Sequence, residues 1–305
     1  MRKYLAEFIG TFALTFAACG ATAFTGGFQG YLGIVGIALL FGTVFIAMFY
    51  SIGNISGCHI NPAVSIAMLA SGRMKVLDCV GYVIAQLIGG IAGAFTVYGL
   101  SKSFDSDVVA KYSSYGTDFC NPATNGYGDQ SVLWQIKPWG AVLVEIILSF
   151  IFVITVLGVT ANERYKSVAG MVIGMSLTAV HLFGVLLTGT GVNPARSFGP
   201  ALVKFITGDK TAMSQVWVFI LAPLVGGLIA AAIYMLLTYE KNDDVIAICS
   251  DEDTAKKAVT DKGDNSDMED NKDKVDNKDK EEDGKAGDKD DTIDVVESSQ
   301  TEENK

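Results

Sequence analysis

The chain has 305 residues, half of them apolar, and a formal net charge of −10, yet its mean hydropathy is positive at +0.35, so two unlike kinds of segment are averaged together. Residues 241–305 carry 23 acidic and 11 basic side chains, net −12, which leaves 10 acidic and 12 basic, net +2, for residues 1–240. This division excludes a uniformly acidic soluble domain, and no nucleic-acid partner is expected.

Thirty of the 33 glycines lie in the first 240 residues, a density that suits closely packed membrane helices. A bilayer core about 30 Å thick needs roughly 20 apolar residues in a helix. Six stretches reach that length with almost no charge: Tyr4–Phe24, Tyr31–Gly53, Cys79–Leu100, Pro138–Ala161, Ser167–Leu187 and Ser214–Thr238. The first lacks a short central apolar run with a small-residue cleavage site, so it reads as a retained span and not a signal peptide. Arg2, Lys3, Arg73, Lys75, Arg164, Lys166 and Lys241 all fall on one side of a six-span arrangement, which predicts that this side, with both termini, is cytoplasmic. A long polar segment, Ser101–Lys137, falls on the other side. Cys19, Cys58, Cys79, Cys120 and Cys249 have no paired spacing, so neither a disulfide framework nor a metal site is indicated, and no cofactor is expected.

The chain also repeats itself. Glu7 matches Glu145, Asn61-Pro62-Ala63 matches Asn193-Pro194-Ala195, and Ala85 to Gly90 matches Ala222 to Gly227, at offsets of 138, 132 and 137 residues. Each half, about 1–102 and 138–240, holds three spans. Because three is odd, the halves enter the membrane from opposite faces and the repeat is inverted.

Between spans, the segments Ser56 to Ser65 and Thr190 to Ser197 open on residues suited to irregular backbone and then place Pro62 and Pro194 where a helix can start. A helix of about ten residues is about 15 Å long, half the bilayer, so two half-helices are predicted to meet tip to tip at the midplane.

Two Asn-Pro-Ala triplets, the second continuing into Arg196, resemble the signature of the aquaporin or major intrinsic protein family, and the resemblance covers residues 1–240. A third triplet, Asn121-Pro122-Ala123, sits in a polar stretch with no apolar helix after it and reads as coincidence. The resemblance implies an all-α membrane fold of six transmembrane helices and two half-helices, a homotetramer with one pore per subunit in a lipid bilayer, and passive conduction of water, with glycerol or other small neutral solutes as the alternative. It assigns the pore motifs to Asn61, Pro62, Ala63, Asn193, Pro194 and Ala195, and an outer constriction to Phe41, His181, Thr190 and Arg196. Helix N-termini present partial positive charge from both faces, while the Asn61 and Asn193 carboxamides donate to a passing water and turn its hydrogens outward. An arginine and half-helix dipoles excluding protons and cations is the established account for such channels.

Glycerol-passing members usually carry Gly at the His181 position and Asp after Asn-Pro-Ala-Arg, where this chain has Ser197, so the resemblance favours water. Ile220 departs from the Trp common in water channels and points the other way. Glu7 and Glu145, ionisable groups inside apolar spans, are expected to support the half-helix loops by accepting backbone N–H bonds, and His59 to support its loop by bonding nearby carbonyls. Cys58, three residues before Asn61 as Thr190 is before Asn193, is a candidate thiol-sensitive residue bordering the cytoplasmic side of the pore; a buried packing residue is the other reading. Gly89 and Gly93 suit either packing within one subunit or a subunit contact. Residues 241–305, acidic and poor in aromatics, are expected to form a disordered cytoplasmic tail. No nucleophile, base and orienting group form an enzyme-like constellation. A secondary transporter would show more ionisable groups near the midplane.

Overall fold

The computed structural model describes residues 1–25, 31–113 and 123–239. The tail from residue 240 on, and with it the expectation of disorder, lies outside them. Every long element among the described residues is helical. Six helices are long and apolar enough to span a membrane: α1 (Arg2–Phe24), α2 (Gly33–Ser56), α4 (Val76–Ser101), α6 (Pro138–Ala161), α7 (Ala169–Thr188) and α9 (Thr211–Thr238). Two half-length helices, α3 (Pro62–Ala70) and α8 (Pro194–Ile206), lie between spans, and a short α5 (Ser106–Ser113) follows α4. α1 contains a π-helical turn over Thr15–Cys19.

The predicted spans recur within a few residues. α4 starts earlier than its apolar run because Asp78 occupies its first turn, where a carboxylate suits the helix dipole, and is paired there with Lys3 Nζ at 2.6 Å and with the Tyr4 hydroxyl at 3.0 Å. A hydropathy reading stops at such charges; backbone hydrogen bonding does not. α8 runs for 13 residues against nine in α3, so only the first half-helix is as short as expected.

Helix ends obey the repeat. Proline fills the first turn of both half-helices, and Asn61 and Asn193 cap them, the first accepting from the Ala63 N–H and the second from the Ala195 and Arg196 N–H groups. The preceding spans stop at Gly57 (φ 85°) and Gly189 (φ 76°), left-handed caps that non-glycine residues adopt at a cost. Packing is also two-fold: α1 lies against α2 and α4 as α6 lies against α7 and α9, α2 and α7 face each other, and each half-helix packs on the last span of the opposite half, α3 on α9 and α8 on α4.

That last contact explains the repeated glycine pairs. A side chain on Gly90 would collide with the Ala195 carbonyl, and one on Gly227 would stand 2.9 Å from the Ala63 carbonyl oxygen. The third residue of each Asn-Pro-Ala triplet therefore rests on a glycine of the other half. Gly89 and Gly93 face Phe8 to Phe16 of α1, so this small-residue pair serves packing within one chain. Outward, the bundle is apolar: Ile84 and Ile88 on α4, and Leu221 and Val225 at the matching positions on α9, are 41–54% exposed, as suits a lipid or subunit contact.

Candidate functional site

The two half-helix tips interlock. Asn61 Nδ2 donates to the Val192 carbonyl at 2.8 Å, and Asn193 Nδ2 donates to the Ile60 carbonyl at 2.8 Å. Each carboxamide oxygen caps its own helix, so one hydrogen of each Nδ2 remains for a further acceptor. Both amides line a narrow cavity together with Leu14, Phe41, Phe45, Ile60, Phe152, Leu177, His181, Gly191, Val192 and Arg196. The walls are largely apolar and the polar groups few, which gives a permeant small molecule little reason to stop.

The loops feeding these tips are strained in matching places. Cys58 and Ile60 in one, Thr190 and Val192 in the other, have φ of 41–50°, which for β-branched residues costs about 1–3 kcal/mol each. Fully buried carboxyls hold them. Glu7 accepts from the His59 N–H (2.9 Å), the Ile60 N–H (2.6 Å), the Ser56 hydroxyl (2.6 Å) and Gln86 Nε2 (2.8 Å). Glu145 accepts from the Gly191 N–H (2.8 Å), the Val192 N–H (2.8 Å) and the Thr188 hydroxyl (2.7 Å). Each glutamate accepts two successive loop N–H groups.

In the cavity wall the Phe41 and His181 rings stack, centroids 4.0 Å apart, and the Arg196 guanidinium carbon lies 5.2 Å from the Phe41 ring centre. His181 Nδ1 is 2.8 Å from the Leu177 carbonyl, which can only accept. The proton therefore sits on Nδ1 and leaves Nε2, buried and without a protein partner, as an acceptor. Arg196 Nη1 donates to the Ala123 carbonyl (3.0 Å) and to Asn125 Oδ1 (2.9 Å).

Of the four residues expected at a constriction, the structure brings together Phe41, His181 and Arg196. Thr190 is fully buried, but its neighbour Gly191 lines the cavity, and the Thr190 hydroxyl lies toward Gly184 on α7, without a hydrogen-bond partner. Cys58 is 2% exposed, belongs to the apolar core and is absent from the cavity wall, which is the packing reading. His59 corrects its expectation: its Nδ1 lies 3.1 Å from the Ser65 hydroxyl rather than from a carbonyl, with its ring set edge-on to Tyr82.

Asn125 escaped the sequence reading, as did the Ala123 carbonyl. Asn121 and Pro122 of the third triplet lie outside the described residues, but Ala123 (φ 59°) turns its carbonyl onto Arg196, and nothing in the composition of the polar segment signals this. Ser56 and Thr188 were legible in principle, being matched hydroxyl residues before matched glycines.

Six spans with two half-helices interlocked at their N-terminal tips define a membrane channel protein. The family described as major intrinsic protein matches residues 1–234, and the chain belongs to that family. It is 40% identical over 239 residues to Aquaporin Z of Rhodopseudomonas palustris, covering 78% of this chain and 94% of the relative, and 36% identical over 242 residues to Aquaporin Z of Photorhabdus laumondii, covering 79% and 99%. The X-ray structure of the aquaglyceroporin from Plasmodium falciparum is similar in fold, with a TM-score of 0.64 at 25% identity over 76% of this chain and 94% of that one.

Proposed function

We propose that this protein conducts water passively across a membrane while excluding protons and ions. The observation that carries the reading is the single cavity wall shared by both Asn-Pro-Ala tips, the stacked Phe41 and His181 rings and Arg196. Asn61 and Asn193 each keep one amide hydrogen for the oxygen of a passing water, and His181 Nε2 offers an acceptor. Fixed positive charge at Arg196 and at two helix N-termini opposes cations. The relatives named Aquaporin Z support the same reading.

The filter role belongs to Phe41, His181 and Arg196, with Thr190 contributing through its backbone beside Gly191, and the loop-support role to Glu7, Glu145 and His59. The active form is a homotetramer in the plasma membrane, one pore per subunit, with both termini and the acidic tail 241–305 in the cytoplasm; the basic residues flanking one set of span ends support this orientation. Passage of glycerol or other small neutral solutes is the second reading, favoured by Ile220. Vesicles containing purified protein, mixed rapidly with an impermeant osmolyte, should shrink faster than bare lipid, with glycerol uptake measured in parallel. Shrinkage at the rate of bare lipid refutes the proposal; fast glycerol uptake selects the second reading.

A further inference from the structure

The two halves complete their loop-holding carboxyls unequally. In the first half, fully buried Gln86 spends both amide hydrogens on a bridge, with Nε2 2.8 Å from Glu7 Oε2 and 3.0 Å from Ser65 Oγ. The repeat puts Pro223 at the position of Gln86, Gly191 at that of His59 and Phe219 at that of Tyr82. None of the three brings a side-chain donor. The acceptors persist: Glu145 stands for Glu7, and Ser197 stands for Ser65.

Ser197 is 2% exposed and its hydroxyl has no protein partner. Both oxygens border Gly191, since a Cβ there would stand 2.9 Å from Glu145 Oε2 and 3.1 Å from Ser197 Oγ, with Phe219 Cδ1 at 2.9 Å. A buried hydroxyl beside a carboxyl, left without a partner, is a rare and costly arrangement. Phe219 and Gly191 border the place and bring no side-chain donor to it.

We propose that one buried water molecule binds between Glu145 and Ser197, donating one hydrogen to Glu145 Oε2 and the other to Ser197 Oγ. It performs in the second half the task that the Gln86 amide performs in the first. A water and a primary amide both present two hydrogens at a wide angle from one small atom, so the substitution conserves the bridge. The polar requirement for an internal water, at least two partners, is met. A cation would need several more oxygen ligands than these two groups provide. The water is structural: Glu145 and Ser197 are not among the residues that line the cavity, and Gly191 stands between it and them.

The test is a high-resolution structure of the full chain together with thermal unfolding of Ser197→Ala in detergent. The expected result is an ordered water oxygen at hydrogen-bond distance, about 2.6–3.2 Å, from both Glu145 Oε2 and Ser197 Oγ. It disappears in the variant, whose unfolding midpoint falls by about 2 °C or more. An orphan hydroxyl behaves oppositely, because its removal relieves a penalty and raises the midpoint. A raised or unchanged midpoint, or no water density in the parent, overturns the proposal. Vesicle shrinkage on the same samples reads the channel activity separately, so loss of one conclusion leaves the other standing.

Discussion

Replacing Glu145 with glutamine tests whether a buried carboxyl holds the second pore loop in its strained shape. The substitution keeps volume and shape, so no cavity opens. Glu145 offers Oε1 to Gly191 and Thr188 and Oε2 to Val192. Glutamine keeps one acceptor oxygen but turns an NH2 group toward the other set, leaving the buried Val192 N–H facing a donor. One lost bond to a charged group, about 1.5–3 kcal/mol, together with the unsatisfied N–H gives a loss of about 2–4 kcal/mol. The left-handed Thr190 and Val192 store about 1–3 kcal/mol each. Because the loss is as large as the strain it restrained, the loop relaxes, and the Val192 carbonyl no longer meets Asn61. Glu145→Gln in reconstituted vesicles should lower water permeability per channel several-fold, and the unfolding midpoint should fall by about 4–12 °C. Parent-like permeability and midpoint would show that the loop keeps its shape without the carboxyl.

His181→Gly removes the ring stacked on Phe41 and should raise glycerol uptake at least several-fold while water flux persists; unchanged glycerol exclusion would place the selective constriction elsewhere. Asn125→Ala removes one of two anchors of Arg196 Nη1 and should raise solute leakage more modestly, read by the same uptake assay. Cys58→Ser should leave any response to an internally applied mercurial unchanged, since the thiol is buried away from the cavity; protection by this substitution would return Cys58 to the pore wall. Asp209, before α9, accepts from the Thr211 N–H at 2.9 Å, and that bond holds its carboxyl below the usual range. Its depressed value means the cap is intact above the unfolded pKa, about 3.9, and is lost as pH falls through the folded value. The unfolding midpoints of the parent and Asp209→Ala should therefore converge in acid, and a constant gap would contradict the capping role.

The spans were legible because apolar length is a one-dimensional property, and the half-helices because Asn, Pro and a following apolar run each act within one helical turn. The inverted repeat added long-range information: Glu7 and Glu145 could be given a loop-holding task from matched positions alone, and each accepts the matched pair of N–H groups. His59 was given the wrong acceptor, because its ring nitrogen meets the Ser65 hydroxyl of the half-helix, a contact that spacing does not single out. Asn125 was invisible on the same ground, since its contact with Arg196 joins a polar segment to a half-helix and follows no period.

What the repeat does not copy is as informative as what it does. Gly90 and Gly227 are constrained identically, because each must let the opposite triplet's carbonyl approach a helix axis, and both halves need this equally. Gln86 and Pro223 are not, because a proline in mid-span is tolerable only where no side-chain donor is required from that position. Divergence at that one pair leaves Glu7 with four donors and Glu145 with three from the protein. The loop that carries Thr190 and leads into Arg196 therefore depends on the proposed water for the donor that Gln86 supplies to the first loop. Replacing Oε2 of Glu7 or of Glu145 by an amide leaves two donors unchanged in either loop, so the two substitutions differ in which loop they loosen. Selectivity, which the proposed function assigns to Arg196, should be more sensitive to damage at Glu145, whose loop leads into Arg196, than at Glu7.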